Sequence, residues 1–151
     1  MTISLEALIN NFARKRIMKH LIYSWILSLL IIVAIDFIWL NVMGSRFYRV
    51  HLGHIFAENF NFMPAMVFYP LYCFGIAYLI ITPALQSDVK TLQVLLSGFI
   101  LGLIAYGAYD LTNQATIKDW PVIVTIVDML WGAFVTSVAS GLSYKILISF
   151  G

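Results

Sequence analysis

Four long apolar stretches constrain what this chain can fold into more than any other feature. They run from about 21 to 43, 62 to 82, 92 to 113 and 122 to 148, and each reaches the roughly 20 residues that a helix needs to cross a bilayer. Apolar residues make up 62% of the chain and charged residues 11%, against about half and a quarter in soluble domains. The sequence therefore predicts an all-α membrane protein, a bundle of four transmembrane helices.

Two segments outside these stretches are compatible with short additional helices. Residues 1–20 form a basic amphipathic segment ahead of the membrane domain at 21–151: apolar residues at helical spacing precede Arg14-Lys15-Arg16. Such a segment suits an anionic membrane surface, or it only sets the topology, and the role of residues 1–17 stays open. The apolar positions are Leu5, Leu8, Ile9 and Phe12. The second segment, 44–61, follows the first stretch.

The distribution of lysine and arginine predicts the orientation. With four spans, both termini and the loop between the second and third spans share one side of the membrane, and six of the nine basic residues fall there. Because cytoplasmic segments carry the excess of basic residues, both termini are expected in the cytoplasm of a bacterial inner-membrane protein. The six are Arg14, Lys15, Arg16, Lys19, Lys90 and Lys145; the other side has Arg46, Arg49 and Lys118.

Three aspartates lie inside apolar segments: Asp36, Asp110 and Asp128. A carboxylate in hydrocarbon costs several kcal/mol unless it is paired, protonated or hydrated, so each one marks a candidate functional site. The predicted topology places all three in the outer half of the membrane, facing the bundle interior. Neighbours at helical spacing complete a candidate ligand-binding set with the aspartates, namely Trp39, Tyr106, Asn113 and Trp131.

The first outer connection could supply the groups that compensate these acids. We expect Arg46 or Arg49 to pair with at least one aspartate, since an arginine fork can serve two carboxylate oxygens at once. Protonation or a bound cation are the alternatives. If the connection is helical, His51, His54 and Glu58 share one face, but this pattern is far weaker than an established metal motif, and no metal site is predicted.

Small residues indicate how the helices pack. Gly98 and Gly102 form a GxxxG pair in the third span, and Gly132, Thr136 and Ser140 repeat the spacing in the fourth. Such residues let helices approach closely, inside the bundle by default and between copies of the chain as the alternative. The tyrosines of the second span are interpreted as packing residues, and the lone Cys73 as a small buried one.

The segments FYRVHLGH, YGAYDLTNQATIKDWP and VDMLWG, with IDFIWL in the first span, resemble the small bacterial membrane proteins of domain-of-unknown-function family 2177. The resemblance covers about residues 18–148 and implies four spans in an inner membrane, with no established activity. It also implies a set of motif positions. These are Asp36, Trp39, Tyr48, Gly53, Tyr106, Asp110, Thr112, Asn113, Thr116, Trp120, Asp128, Trp131 and Gly132.

These observations favour an outward-facing acidic and aromatic pocket. Its expected role is binding of a small molecule, a cation or a lipid headgroup, or that of a transport accessory. One alternative is a membrane enzyme with Asp110 or Asp128 as general acid or base, assisted by the loop histidines. Another is a structural partner without a ligand. The bilayer is the expected partner, a ligand and a second copy of the chain stay open, nucleic acid is excluded by the few basic residues, and no cofactor is indicated.

Overall fold

Helices account for nearly all of the described chain, which comprises residues 5–57, 59 and 61–150 of a computed structural model. Four of them are long and apolar enough to cross a membrane, and we call them spans 1 to 4. They are Asn10–Leu52, Phe62–Ser87, Thr91–Thr116 and Val122–Ser149. The prediction of an all-α, four-span bundle is confirmed.

Span 1 is helical without a break. Helix α1 (Leu5–Met43) passes through a π-helical turn, Gly44–Tyr48, into the short α2 (Arg49–Leu52). At about 1.5 Å per residue, α1 is far longer than the roughly 30 Å hydrocarbon layer. The basic segment and the start of the 44–61 connection are thus extensions of span 1, not separate helices. The side chains of Leu5, Leu8 and Ile9 lie outside the described part, and Phe12 is exposed.

Span 2 is capped at its start by Asn61, whose side chain accepts a hydrogen bond from the Met63 N–H at 3.1 Å. It comprises α3 (Phe62–Ile76), a π-helical turn (Ala77–Ile81) and α4 (Thr82–Ser87). Pro83 has no N–H to donate to the preceding turn, and the π turn lies directly before it, with the Thr82 N–H donating to the Ala77 carbonyl. The helix therefore continues past the proline.

Spans 3 and 4, α5 (Thr91–Thr116) and α6 (Val122–Ser149), pack backbone against backbone. A Cβ atom at Gly102 would overlap the Gly132 carbonyl oxygen and lie 2.7 Å from the Thr136 hydroxyl, and one at Gly98 would lie 2.8 Å from the Thr136 carbonyl. Only glycine permits such an approach. The small residues of the two spans thus meet inside the bundle, as the sequence predicted.

Consecutive spans are joined by short connections and so alternate in direction. Connections 53–61 and 117–121 lie at one end, which we call the connection end, and the 88–90 turn lies at the other. The main apolar core contains Cys73, which is fully buried as expected. At the connection end, Leu52, Trp120 and Val124 form a separate buried cluster with Phe47 and Tyr48 packed against it. We call this cluster the apolar cap.

Candidate functional site

Asp36 holds three spans together. Its side chain is 5% exposed, and its carboxylate accepts hydrogen bonds from the Trp131 indole N–H at 2.8 Å and the Tyr69 hydroxyl at 3.0 Å. Asp36 lies on span 1, Tyr69 on span 2 and Trp131 on span 4. The acid is thus partnered by neutral donors from the adjacent helices and joins three of the four spans.

Asp128 lies at the end of a second set of hydrogen bonds, which links it to Trp39 through Tyr48. The Trp39 indole N–H donates to the Tyr48 hydroxyl at 2.9 Å, and that hydroxyl donates to an Asp128 carboxylate oxygen. The rings of Trp39 and Trp131 stack, with centroids 3.9 Å apart and planes 10° from parallel.

Two short sequence motifs therefore interlock. Asp36 and Trp39 form one D-x-x-W, and Asp128 and Trp131 form another. The tryptophan of each motif serves the aspartate of the other, directly at Asp36 and through Tyr48 at Asp128. The stacked indoles and these hydrogen bonds join the two motifs into one structural unit.

Asp110 differs from the other two aspartates. It is completely buried, and within the part of the chain that the structure describes neither carboxylate oxygen has a hydrogen-bond partner. Asp128 and Tyr48 lie within electrostatic range of it. Buried polar groups in proteins are almost always hydrogen-bonded, so an exception calls for an explanation. Asn113, one turn beyond, is half-buried.

Tyr106 lies on the same helix as Asp110 and packs against spans 2 and 4. It precedes Asp110 by four residues and so lies one turn away on the same face of α5. Its ring packs directly on Gly132, where a Cβ atom would overlap the ring carbons. The edge of the Tyr72 ring also meets it, with centroids 6.5 Å apart. The three aromatic and three acidic candidates from spans 1, 3 and 4, Asn113 aside, therefore lie in one connected region that also contains Tyr48.

The expected pairing of Arg46 or Arg49 with an aspartate is wrong. Both arginines are exposed, and among residues 10–57, 59 and 61–150 no ion pair joins either one to Asp36, Asp110 or Asp128. The physical reason is that indole and phenol donors already within the bundle satisfy two of the acids. A guanidinium would have to lose its hydration to reach them, and that costs several kcal/mol.

The loop histidines do not join the aspartates through any described hydrogen bond. His51 makes a hydrogen bond of 2.9 Å with the Phe47 carbonyl and packs on the Phe47 ring. His54 is exposed in the turn after α2, and Glu58 lies outside the described residues. Of the residues described, no three or more His, Cys, Asp or Glu side chains are grouped so that they could hold a metal ion.

Tyr69 and Tyr72 were missed as site residues, because the sequence of span 2 led to its tyrosines being interpreted as packing residues. The Tyr69 hydroxyl donates to Asp36, and the Tyr72 hydroxyl lies 2.7 Å from the Thr136 hydroxyl. Tyr78, by contrast, is 60% exposed. Since a buried tyrosine hydroxyl usually finds a partner, two tyrosines at the membrane depth of Asp36 were the available signal.

The fold and the buried polar cluster define a multi-pass helical membrane protein. Comparison with known protein families gives its identity at the same level: residues 21–145 match the family described as "Predicted membrane protein (DUF2177)", and the chain belongs to that family. The resemblance noted in the sequence is thus confirmed. No curated protein and no solved structure matches the chain.

Proposed function

We propose that this protein binds a small monovalent cation through the carboxylates of the buried Asp110 and the half-buried Asp128, near the connection end of the bundle. The observation that carries the proposal is the state of Asp110, which is fully buried and whose two oxygens have no hydrogen-bond partner among the described residues. An acidic residue within a transmembrane segment is costly and marks ion or substrate pathways and proton relays. A bound cation would supply the missing partner.

The groups around Asp110 favour a monovalent or organic cation over a divalent metal. Asp110 and Asp128 supply two carboxylates within electrostatic range of each other, whereas Ca²⁺ takes 6–8 oxygen ligands. No group of three or more His, Cys, Asp or Glu side chains that could hold a metal ion exists among the described residues. Tyr48 and Tyr106 flank the acids. An ammonium group can pair with carboxylates and can also lie over the faces of aromatic rings.

Neutralising Asp110 is expected to remove cation binding without weakening the fold. In Asp110→Asn the buried charge disappears and no hydrogen bond is lost, so the unliganded variant should be at least as stable as the wild type. At a concentration about 100 times its dissociation constant, a ligand stabilises by about 2.7 kcal/mol. We therefore expect a cation-dependent rise in melting temperature for the wild type and none for the variant.

The measurement is thermal unfolding of the purified protein in detergent at constant ionic strength, with sodium, potassium or butylammonium chloride. Asp119→Asn is the matched control, because Asp119 is exposed in the connection after span 3 at φ 60°, a conformation that asparagine tolerates. This control should keep the full cation response. A strongly destabilised Asp110→Asn, together with a wild type that responds to no cation, would assign Asp110 a purely structural role.

We also propose that the protein lies in a bacterial inner membrane with both termini in the cytoplasm, supported by the six-to-three excess of basic residues. A cysteine at position 57 should react with an impermeant thiol reagent added to intact cells, and one at position 87 should not. The native Cys73 is buried and should not react with the reagent. Labelling of Ser87→Cys but not Ala57→Cys would reverse the orientation.

A further inference from the structure

We infer that the cation is the ammonium group of a single-chain amphiphilic amine, which reaches Asp110 sideways from the bilayer with its alkyl chain in a groove between spans 2 and 3. This inference rests on the proposed cation site and identifies its ligand and its route. The groove lies beside Asp110 on α5. Its lining comes from Phe68, Ala105, Tyr106 and Tyr109, and its volume is about 230 Å³.

The groove lies on the lateral surface of the bundle and is almost entirely apolar. Phe68 is 46% and Tyr109 62% exposed, and both belong to membrane-spanning helices, so these exposed rings face lipid. Pockets for whole drug-sized ligands measure about 300–1,000 Å³, which exceeds this groove. The groove has room for part of an alkyl chain, and the rest of the chain would stay among the lipids.

Tyr106 separates the groove from the acidic region. One side of its ring lines the groove, and the ring also packs on Gly132, one helical turn after Asp128. On α5, Tyr106 lies one turn before Asp110, and Tyr109 is the residue directly before it. The lateral path that we propose from the groove to Asp110 therefore passes the Tyr106 side chain.

Buried apolar packing and hydrogen bonds lie at the connection end, from which a water-borne ion would approach Asp110. The apolar cap covers the connection end, with Leu52, Trp120 and Val124 all buried. Tyr48 adds a hydrogen bond to Asp128 beneath the cap, and the Trp120 indole N–H donates to the Thr125 hydroxyl. A water-borne ion would have to pass this packing, whereas a lipid-borne ligand would enter along the groove, past Tyr106 and Tyr109.

Charge complementarity selects an amine among membrane-soluble molecules. The ammonium group would pair with Asp110 and Asp128, and the alkyl chain would bury apolar surface along the groove. A zwitterionic phospholipid is disfavoured because its phosphate would come close to two carboxylates, and like charges repel. A neutral alcohol of the same chain length would lack the charge that the site requires.

The test compares dodecylamine, butylamine and dodecanol by native mass spectrometry and thermal unfolding of the detergent-solubilised full chain. We expect dodecylamine to bind at least about tenfold more tightly than butylamine and dodecanol to bind far more weakly than dodecylamine. Ala105→Trp, which fills the groove, should weaken dodecylamine binding by about tenfold or more and leave butylamine binding unchanged. Ala105→Leu is the milder version should the tryptophan variant fail to fold.

The matched control is Ala108→Trp, since Ala108 is exposed on the same helix and does not line the groove. It should bind all three compounds as the wild type does. Equal affinities for the two amines, equal binding of dodecanol, or no effect of either Ala105 variant would overturn the amphiphile while Asp110-dependent cation binding still stood. Absence of Asp110-dependent amine binding would overturn the amphiphile as well, and only the further absence of an Asp110-dependent response to sodium and potassium would overturn the proposed function itself.

Discussion

Replacing Gly102 by alanine is expected to destabilise the bundle by about 3 kcal/mol or more, the upper part of the range for overpacked cores. The added methyl group would overlap the Gly132 carbonyl oxygen and lie 2.7 Å from its carbonyl carbon. Both groups belong to the backbone of the facing helix, so rotation of a side chain cannot relieve the overlap. Spans 3 and 4 would have to move apart along their contact.

The control for this variant is the same chemical change at Gly75. Gly75 lies inside α3, and no atom of the described residues lies within 4 Å of a Cβ atom built there, apart from its own chain neighbours and the backbone of its own helix. Alanine favours the helix over glycine by up to about 1 kcal/mol, so Gly75→Ala should be neutral or stabilising. The measurement is the free energy of unfolding of the three proteins in mixed micelles. Equal effects at Gly102 and Gly75 would contradict the close approach of spans 3 and 4.

The contrast between these glycines shows why much of the fold could be predicted from sequence. Spanning helices follow from the length of the apolar runs, because a bilayer leaves few other ways to satisfy the backbone. The contact of spans 3 and 4 follows from small residues spaced four apart. Gly75 is also small, yet it packs against no facing helix in the described part of the chain. The spacing of the small residues, and not their type alone, therefore predicted the contact.

The aspartates were predictable as a site but their partners were not. A buried carboxylate in a membrane needs compensation, and the sequence offered arginines at a short separation along the chain. The structure uses Tyr69 and Trp131, 33 and 95 residues away from Asp36. Which donors reach an acid depends on helix rotation and register, and apolar periodicity in a helix surrounded by lipid fixes neither.

Removing the carboxylate of Asp36 is expected to cost about 2–5 kcal/mol in unfolding free energy. Asp36→Ala leaves the Tyr69 hydroxyl and the Trp131 indole N–H without their acceptor, and each unsatisfied buried donor costs about 1–3 kcal/mol. Asn41→Ala is the control on the same helix, because the Asn41 side chain is exposed and bonds only its own helix, at the Phe37 carbonyl. The control should change stability by less than about 0.5 kcal/mol.

A double-mutant cycle separates the hydrogen bonds from the packing of the side chain. Tyr69→Phe removes only the hydroxyl, so combining it with Asp36→Ala should cost less than the sum of the two single changes, by about 0.5–3 kcal/mol. Additive effects, or an Asp36→Ala variant no less stable than Asn41→Ala, would contradict the partnership seen in the structure.

The stability of the Asp36 variant also bears on the proposed site. Asp36 and Asp110 are both buried, but replacing them should change the free energy of unfolding in different ways. Asp36 has its donors, and its loss leaves them unsatisfied, so its removal weakens the bundle whether or not a ligand is present. Asp110 has no hydrogen-bond donor in the part of the chain that the structure describes, and its neutralisation should cost nothing until a cation is added. If removing either aspartate lowered the free energy of unfolding equally, both would be structural groups. If only the removal of Asp36 lowered it, Asp110 would be available for a ligand.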